Sequence, residues 1–166
     1  MTLSTDKRVD KGVDTTIAIV GLGYVGLPLA LSFVEAGHPV LGIDASQARV
    51  DELNAGRSPI DDIADATLKA ALGHGLTIMA SEDADLAASD AIFVCVPTPI
   101  NKAKDPDLGP VLAAAARLRR QLRAGQLVIL QSTTFPGTTT GPFRVELERS
   151  GLVAGRDFDL AYAPER

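Results

Sequence analysis

The chain has 166 residues, room for one domain with a sizeable core. Hydrophobic residues make up 46% and charged residues 22%, the balance of a globular rather than a disordered chain. A formal net charge of −5 offers no general attraction to nucleic acid or to an anionic membrane, so a bound phosphate would have to be held by local backbone geometry.

Residues 1–15 are polar and carry Asp6, Lys7, Arg8, Asp10, Lys11 and Asp14, too little apolar matter to bury, and are expected to form a flexible leader, with a short lead-in helix as the alternative. Residues 16–166 are expected to form a single domain. Residues 16–20 (TIAIV) are a short apolar run ending at Gly21, as in a buried parallel strand. Residues 24–36 read as a helix with Pro28 near its first turn and Gly37 as its stop. A second strand, 40–43, closes at Asp44. Ser46 is placed to cap a helix over 47–55 that ends at Gly56.

A turn-rich loop at 57–63 leads to a helix over 65–73 and a third strand at 76–79. One or two helical turns at 83–88 precede a fourth strand, 91–96, and a loop stiffened by Pro97, Pro99 and Pro106. Asp107 can cap the next helix, where Val111, Ala115, Leu118 and Leu122 share one face. Gly125 ends it, and a fifth strand (127–131), a helix (138–150) and a sixth strand (159–163) follow. Apolar strands alternating with helices predict an α/β fold: a doubly wound parallel sheet of about six strands, covered by helices on both faces.

The first strand runs directly into Gly21-Leu22-Gly23-Tyr24-Val25-Gly26, a GxGxxG pattern that opens a helix. In that setting the pattern is the Rossmann dinucleotide fingerprint. Gly21 allows the tight turn, Gly23 lets a pyrophosphate approach the backbone, and Gly26 lets the helix pack close to the strand. Free N–H groups at the helix start favour an anion. Asp44 stands 18 residues beyond Gly26, where a carboxylate accepts from the adenosine ribose hydroxyls and repels a 2′-phosphate. The expected cofactor is therefore NAD. Arg49 could stack on the adenine, or offset Asp44 and admit NADP. A plain glycine turn beside a surface aspartate is the bland alternative, and FAD or S-adenosylmethionine use related units.

Three further loops lie at carboxyl ends of strands, where open α/β sheets bind ligands. They are Val96-Pro97-Thr98-Pro99, then Gln131-Ser132-Thr133-Thr134-Phe135-Pro136-Gly137-Thr138-Thr139, then Ala163-Pro164-Glu165-Arg166. Together with GLGYVG they resemble the UDP-glucose/GDP-mannose dehydrogenase family, over nearly all of the chain from Ile17. VPTPIN, STTFPGTT and the stretch Lys104-Asp105-Pro106-Asp107-Leu108 look most like its UDP-N-acetylglucosamine 6-dehydrogenases.

The resemblance implies oxidation of a UDP-sugar at its 6-hydroxymethyl group to the uronic acid, with two NAD per turnover and a cysteine that captures the aldehyde. It places Tyr24 and Val25 with Gly21, Gly23 and Gly26 at the pyrophosphate, and Asp44 and Arg49 at the adenosine. It sets Thr98 along the cofactor and Thr133 near the nicotinamide and the catalytic water. Glu165 corresponds to an acid/base on that water, a task suited to a carboxylate whose pKa is raised by partial burial. The family's nucleophilic cysteine, its dimerising central helix and its UDP-sugar domain would all lie beyond Arg166. The chain is thus expected to be a truncated form that binds NAD without oxidising a sugar, although the family forms homo-oligomers. A non-catalytic NAD-binding module is the second hypothesis. A dehydrogenase of the 6-phosphogluconate or hydroxyacyl type would share the first motif but not the three later loops.

Other residues invite plainer readings. Cys95 is the one cysteine, which excludes an internal disulfide, and inside an apolar strand it is expected to be structural. No clustered ligands suggest a metal. His38 and His74 read as turn residues, and Arg117, Arg119, Arg120 and Arg123 as a solvated helix face. Ser132 and Thr133 could satisfy backbone groups at a strand end, but their place in the loop favours function. No apolar run is long enough for a membrane span, and no signal peptide stands at the N-terminus, so a cytoplasmic protein is expected.

Overall fold

Strand β1, Ile17–Val20, is buried at all four positions. An apolar run without alternation needs cover on both faces, and the fold supplies it. The computed structural model describes residues 15–99 and 106–164. The expected leader apart from Thr15, the middle of the loop after the fourth strand, and Glu165 and Arg166 lie outside the described residues.

The elements after β1 are α1 (Gly26–Glu35), β2 (Val40–Asp44), α2 (Gln47–Asn54), α3 (Asp65–Leu72), β3 (Leu76–Ala80), β4 (Ala91–Val94), α4 (Gly109–Leu118), β5 (Leu127–Leu130), α5 (Arg144–Glu148) and β6 (Asp159–Tyr162). A 3-10 turn, Leu86–Ala88, precedes β4. The six strands form one sheet in the order β3-β2-β1-β4-β5-β6, with every pairing parallel.

Alternation along β1 divides the core. Ile17 and Ile19 join a cluster that includes Leu27, Ala30, Leu53 and Leu68 from α1, α2 and α3. Ala18 and Val20 join a second cluster with Val111, Leu118, Phe143 and Leu147. The helices of the two halves therefore cover opposite faces, the doubly wound arrangement that the strand pattern predicts.

Three local expectations differ from the structure. The fourth strand stops at Val94, because the N–H groups of Gln131 and Ser132 both converge on the Val94 carbonyl, at 2.9 and 3.1 Å. Beyond it Pro97 has no N–H to extend a ladder. The helix expected over 138–150 is interrupted: a π-type turn, Thr139–Phe143, bends at Gly141 (φ −103°, ψ −110°) before α5 begins. Pro142 lacks an N–H and drives the residue before it out of the helical region.

The arginine face is also not simply solvated. Arg123 donates to the carbonyls of Ala87 (2.6 Å) and Ser89 (3.1 Å) and pairs with Asp90 at 3.1 Å. Arg117 donates to Ala84 O at 3.2 Å, and Arg119 pairs with Glu146 at 3.1 Å. Carbonyls around the short 3-10 turn have few ladder partners, and the guanidinium groups of Arg117 and Arg123 satisfy them. Arg120 is exposed, whereas the other three are half-buried.

Candidate functional site

The glycine turn at the end of β1 is built from three different constraints. Gly21 has φ +97°, a conformation that disfavours a Cβ, and a Cβ there would sit 2.8 Å from the Cys95 carbonyl oxygen. A Cβ on Gly26 would overlap the Gly21 carbonyl oxygen and come within 3.2 Å of the Cys95 Cβ, so the start of α1 lies directly against the turn and β4. Gly23 is the opposite case: a Cβ there would meet nothing within 4 Å. It faces open cleft. Among the described residues, no hydrogen bond engages the N–H groups of Gly23, Tyr24 or Val25. The first turn of α1 carries no acidic side chain, so its partial positive charge is left for an incoming anion.

Asp44 ends β2 and is tied into this turn. Its Oδ2 accepts from Leu22 N–H at 3.0 Å, and its Oδ1 accepts from Ser46 N–H at 2.9 Å. One bond on each oxygen fixes the carboxylate and leaves further acceptor capacity on both. Ser46 caps α2, accepting from Arg49 N–H at 3.3 Å, as its residue type predicts. Arg49 Nε lies 3.9 Å from Glu52 Oε2, an ion pair within its own helix and not with Asp44.

Across the cleft, Thr98 donates its hydroxyl proton to Thr133 O at 2.7 Å, joining the loops after β4 and β5. Ser132 is buried, and its Oγ lies 2.6 Å from Val96 O and 3.3 Å from Val94 O. It serves the backbone, whereas Thr133 is exposed.

Gly21, Gly23, Tyr24, Val25, Asp44, Arg49, Thr98 and Thr133 all line one cleft of about 720 Å³. Gly26 lies buried beneath it. Glu165 falls outside the described residues. A volume of that order suits a ligand larger than one nucleotide, within the roughly 300–1,000 Å³ of small-molecule sites. Leu22, Ser46, Cys95, Val96, Pro97, Gln131 and Ser132 complete the lining. Of these, Leu22 and Gln131 had no signal beyond lying within a motif. Cys95 is 9% exposed and is a core residue. His74 is remote, its Nδ1 donating to Ala70 O at 2.7 Å, and His38 follows the turn at Gly37 (φ +90°) and packs edge-on to Phe33. Among the described residues no cluster of three or more His, Cys, Asp or Glu side chains could hold a metal, and no helix is long and apolar enough to cross a membrane.

The strand order reverses between β1 and β4, the glycine turn sits at that reversal, and an acid closes β2. Those features define a dinucleotide-binding domain of the Rossmann class. Residues 15–166 match the model of the UDP-glucose/GDP-mannose dehydrogenase family, NAD binding domain, and the chain belongs to that family.

A UDP-N-acetyl-D-glucosamine 6-dehydrogenase of Pseudomonas aeruginosa is 40% identical over 154 residues, 92% of this chain and 36% of the relative. A solved UDP-D-ManNAc dehydrogenase of Pyrococcus horikoshii superposes with a TM-score of 0.84 at 37% identity, over 92% of this chain and 36% of that one. A ternary complex of the GDP-mannose dehydrogenase of Pseudomonas aeruginosa gives a TM-score of 0.84 at 34% identity, over 90% and 36%. The chain thus spans about a third of the length of the relatives it matches.

Proposed function

We propose that this chain is the cofactor-binding part of an NAD-dependent UDP-sugar 6-dehydrogenase acting on UDP-N-acetylglucosamine, and that these 166 residues alone bind NAD without oxidising a sugar. The observation that carries the first half is Asp44, pinned by the Leu22 and Ser46 amides beside a glycine turn whose own amides have no partner among the described residues. The residues fit the group. The N–H groups of Gly23, Tyr24 and Val25 hold the pyrophosphate, and the open face of Gly23 lets it approach. Asp44 accepts from the adenosine ribose hydroxyls and repels a 2′-phosphate, while Arg49 lies along the adenosine. Thr98 and Thr133 border the other nucleoside.

When bound, NAD supplies the hydride acceptor. The chain's own part is to orient that acceptor and select it. Glu165 is the acid/base on water that the family resemblance implies. The second half of the proposal rests on Cys95. It is the one cysteine of these 166 residues, 9% exposed at the edge of the cleft and packed into the core cluster beside α1, where burial in apolar surroundings disfavours the thiolate that would attack an aldehyde. The substrate class rests on the likeness to the Pseudomonas aeruginosa relative.

The test is a fluorescence titration with NADH and with NADPH. Saturable NADH binding is expected, with NADPH weaker by about tenfold or more and Asp44→Ala weakening NADH by a similar factor. Equal affinity for the two cofactors, or no binding to either, overturns the cofactor assignment. NAD reduction by the purified chain with UDP-N-acetylglucosamine would overturn the inactivity of the isolated domain. Turnover on adding a separately expressed C-terminal half of a relative would favour the enzyme reading over a non-catalytic NAD module.

A further inference from the structure

The peptide between Thr133 and Thr134 is gripped at both of its polar ends. Its carbonyl, Thr133 O, accepts from Thr98 Oγ1 at 2.7 Å. Its N–H, on Thr134, donates to the Tyr162 hydroxyl at 3.3 Å, and that hydroxyl lies 3.4 Å from the Thr134 carbonyl, to which it donates. One side chain comes from the loop after β4 and the other from the last residue of β6. The β5–β6 ladder ends at Leu130, paired with Tyr162, and Ala163 N–H adds a last bond to Leu130 O at 3.1 Å. Past that point the Tyr162 hydroxyl is what ties the loop to β6 among the described residues. The loop's own Thr134 hydroxyl is buried without a hydrogen-bond partner and adds no anchorage.

A peptide plane held at both ends fixes the Cα of the residue before it and restricts the backbone rotation that aims that residue's side chain. That residue is Thr133, exposed on the cleft wall. The adenosine ribose belongs at Asp44 and the pyrophosphate at the glycine turn, so the second nucleoside must extend toward the β4–β5 side, where Thr133 stands. The geometry points to Tyr162 and Thr98 as positioning residues for Thr133: a two-hydroxyl clamp that shapes the cleft wall for the nicotinamide half of the dinucleotide. The inference rests on the cofactor reading above. Tyr162 lies outside every motif that suggested the site, and its hydroxyl acts on the backbone, not on the ligand.

The test compares two ligands, NADH and ADP-ribose, which lacks the nicotinamide. Tyr162→Phe removes one hydroxyl and keeps the ring. It is expected to weaken NADH by about three- to tenfold, the worth of a positioning hydrogen bond, and to leave ADP-ribose within about twofold. Thr98→Val is expected to behave alike, and Thr98→Ser, which keeps the donor, to restore the NADH affinity. Faster hydrogen exchange at the Thr134 amide in Tyr162→Phe gives a second readout, independent of ligand. An unchanged ratio of the two affinities overturns the clamp, as does parallel weakening of both ligands, which would mark a purely structural role. If the unaltered chain binds neither ligand, the cofactor reading fails and the clamp fails with it.

Discussion

Gly26 and Gly23 belong to the same fingerprint but answer to different demands, and alanine at each should separate them. At Gly26 an added methyl overlaps the Gly21 carbonyl oxygen and stands 3.0 Å from the carbonyl carbon, so the neighbour that must move is backbone. The start of α1 would have to retreat on the order of 1 Å, because a close-packed interior has no slack to absorb a methyl. That retreat disturbs Leu27 and Ala30, both fully buried. Overpacking costs about 1–3 kcal/mol, and a clash with backbone belongs at the upper end. At about 3 kcal/mol a domain of this size loses roughly 6–12 °C in Tm.

At Gly23 nothing lies within 4 Å of the added carbon, and φ is not positive. Gly23→Ala should keep Tm within about 2 °C, since alanine costs nothing where the backbone accepts it. Its methyl occupies cleft space instead, and NADH affinity should fall by about tenfold or more. Thermal unfolding of both variants, with NADH titration of Gly23→Ala, measures all of this. Gly26→Ala unfolding within about 2 °C of the unaltered chain would refute the packing argument. Gly23→Ala binding NADH normally would refute the assignment of its open face to the ligand.

Two further outcomes concern stability. Gln126 is fully buried and donates to Leu86 O (2.9 Å) and Ser89 O (2.6 Å), while accepting from Arg123 N–H at 2.8 Å. Gln126→Leu leaves those three backbone groups without that partner and should cost about 3 kcal/mol in urea unfolding; a loss under about 1 kcal/mol would show that water or Arg123 takes over. Glu148 is held below the usual carboxylate range by its bond with Arg144 and then by the Ala154 N–H, and Asp157 by Arg156 and then the Val153 N–H. Both favour the folded chain above the usual carboxylate range, and that contribution fades as pH falls through their lowered values. A Glu148→Gln, Asp157→Asn double variant should therefore lose Tm at neutral pH and show a shallower acid limb, and an acid limb parallel to the unaltered chain's would contradict this.

The parallel sheet and the glycine turn were legible because their signals are local. Apolar runs such as Ile17–Val20 and the spacing of Gly21, Gly23 and Gly26 speak through a few adjacent residues. Asp44 was legible because a strand end fixes its distance from the turn. The break at Gly141–Pro142 was also written in the chain, since a proline removes a helical N–H and disfavours the helical region for the residue before it. Tyr162 reaches Thr134 across 28 residues, and Gln126 reaches Leu86 across 40. No local pattern encodes such pairs, which arise only when the sheet brings distant strand ends side by side. The same holds for Arg123, whose charge looked like solvent exposure until the carbonyls around the 3-10 turn came into reach.

The division of β1 between two clusters also bears on how the molecule forms. The cluster around α1, α2 and α3 draws on residues 17–78 with Cys95 added, and the other draws mainly on residues 84–158. Each half can begin to condense from its own segment. β1 is required by both, since Ala18 and Val20 serve one cluster while Ile17 and Ile19 serve the other, and β2 is shared in the same way through Val40 and Ile43. Its pairing with β4 closes a loop of about 70 residues, and such non-local parallel pairings are the slow ones. Pairing of β1 with β4 is thus expected to come late in folding, and the strand that carries the glycine turn is the one along which the two halves of the sheet meet.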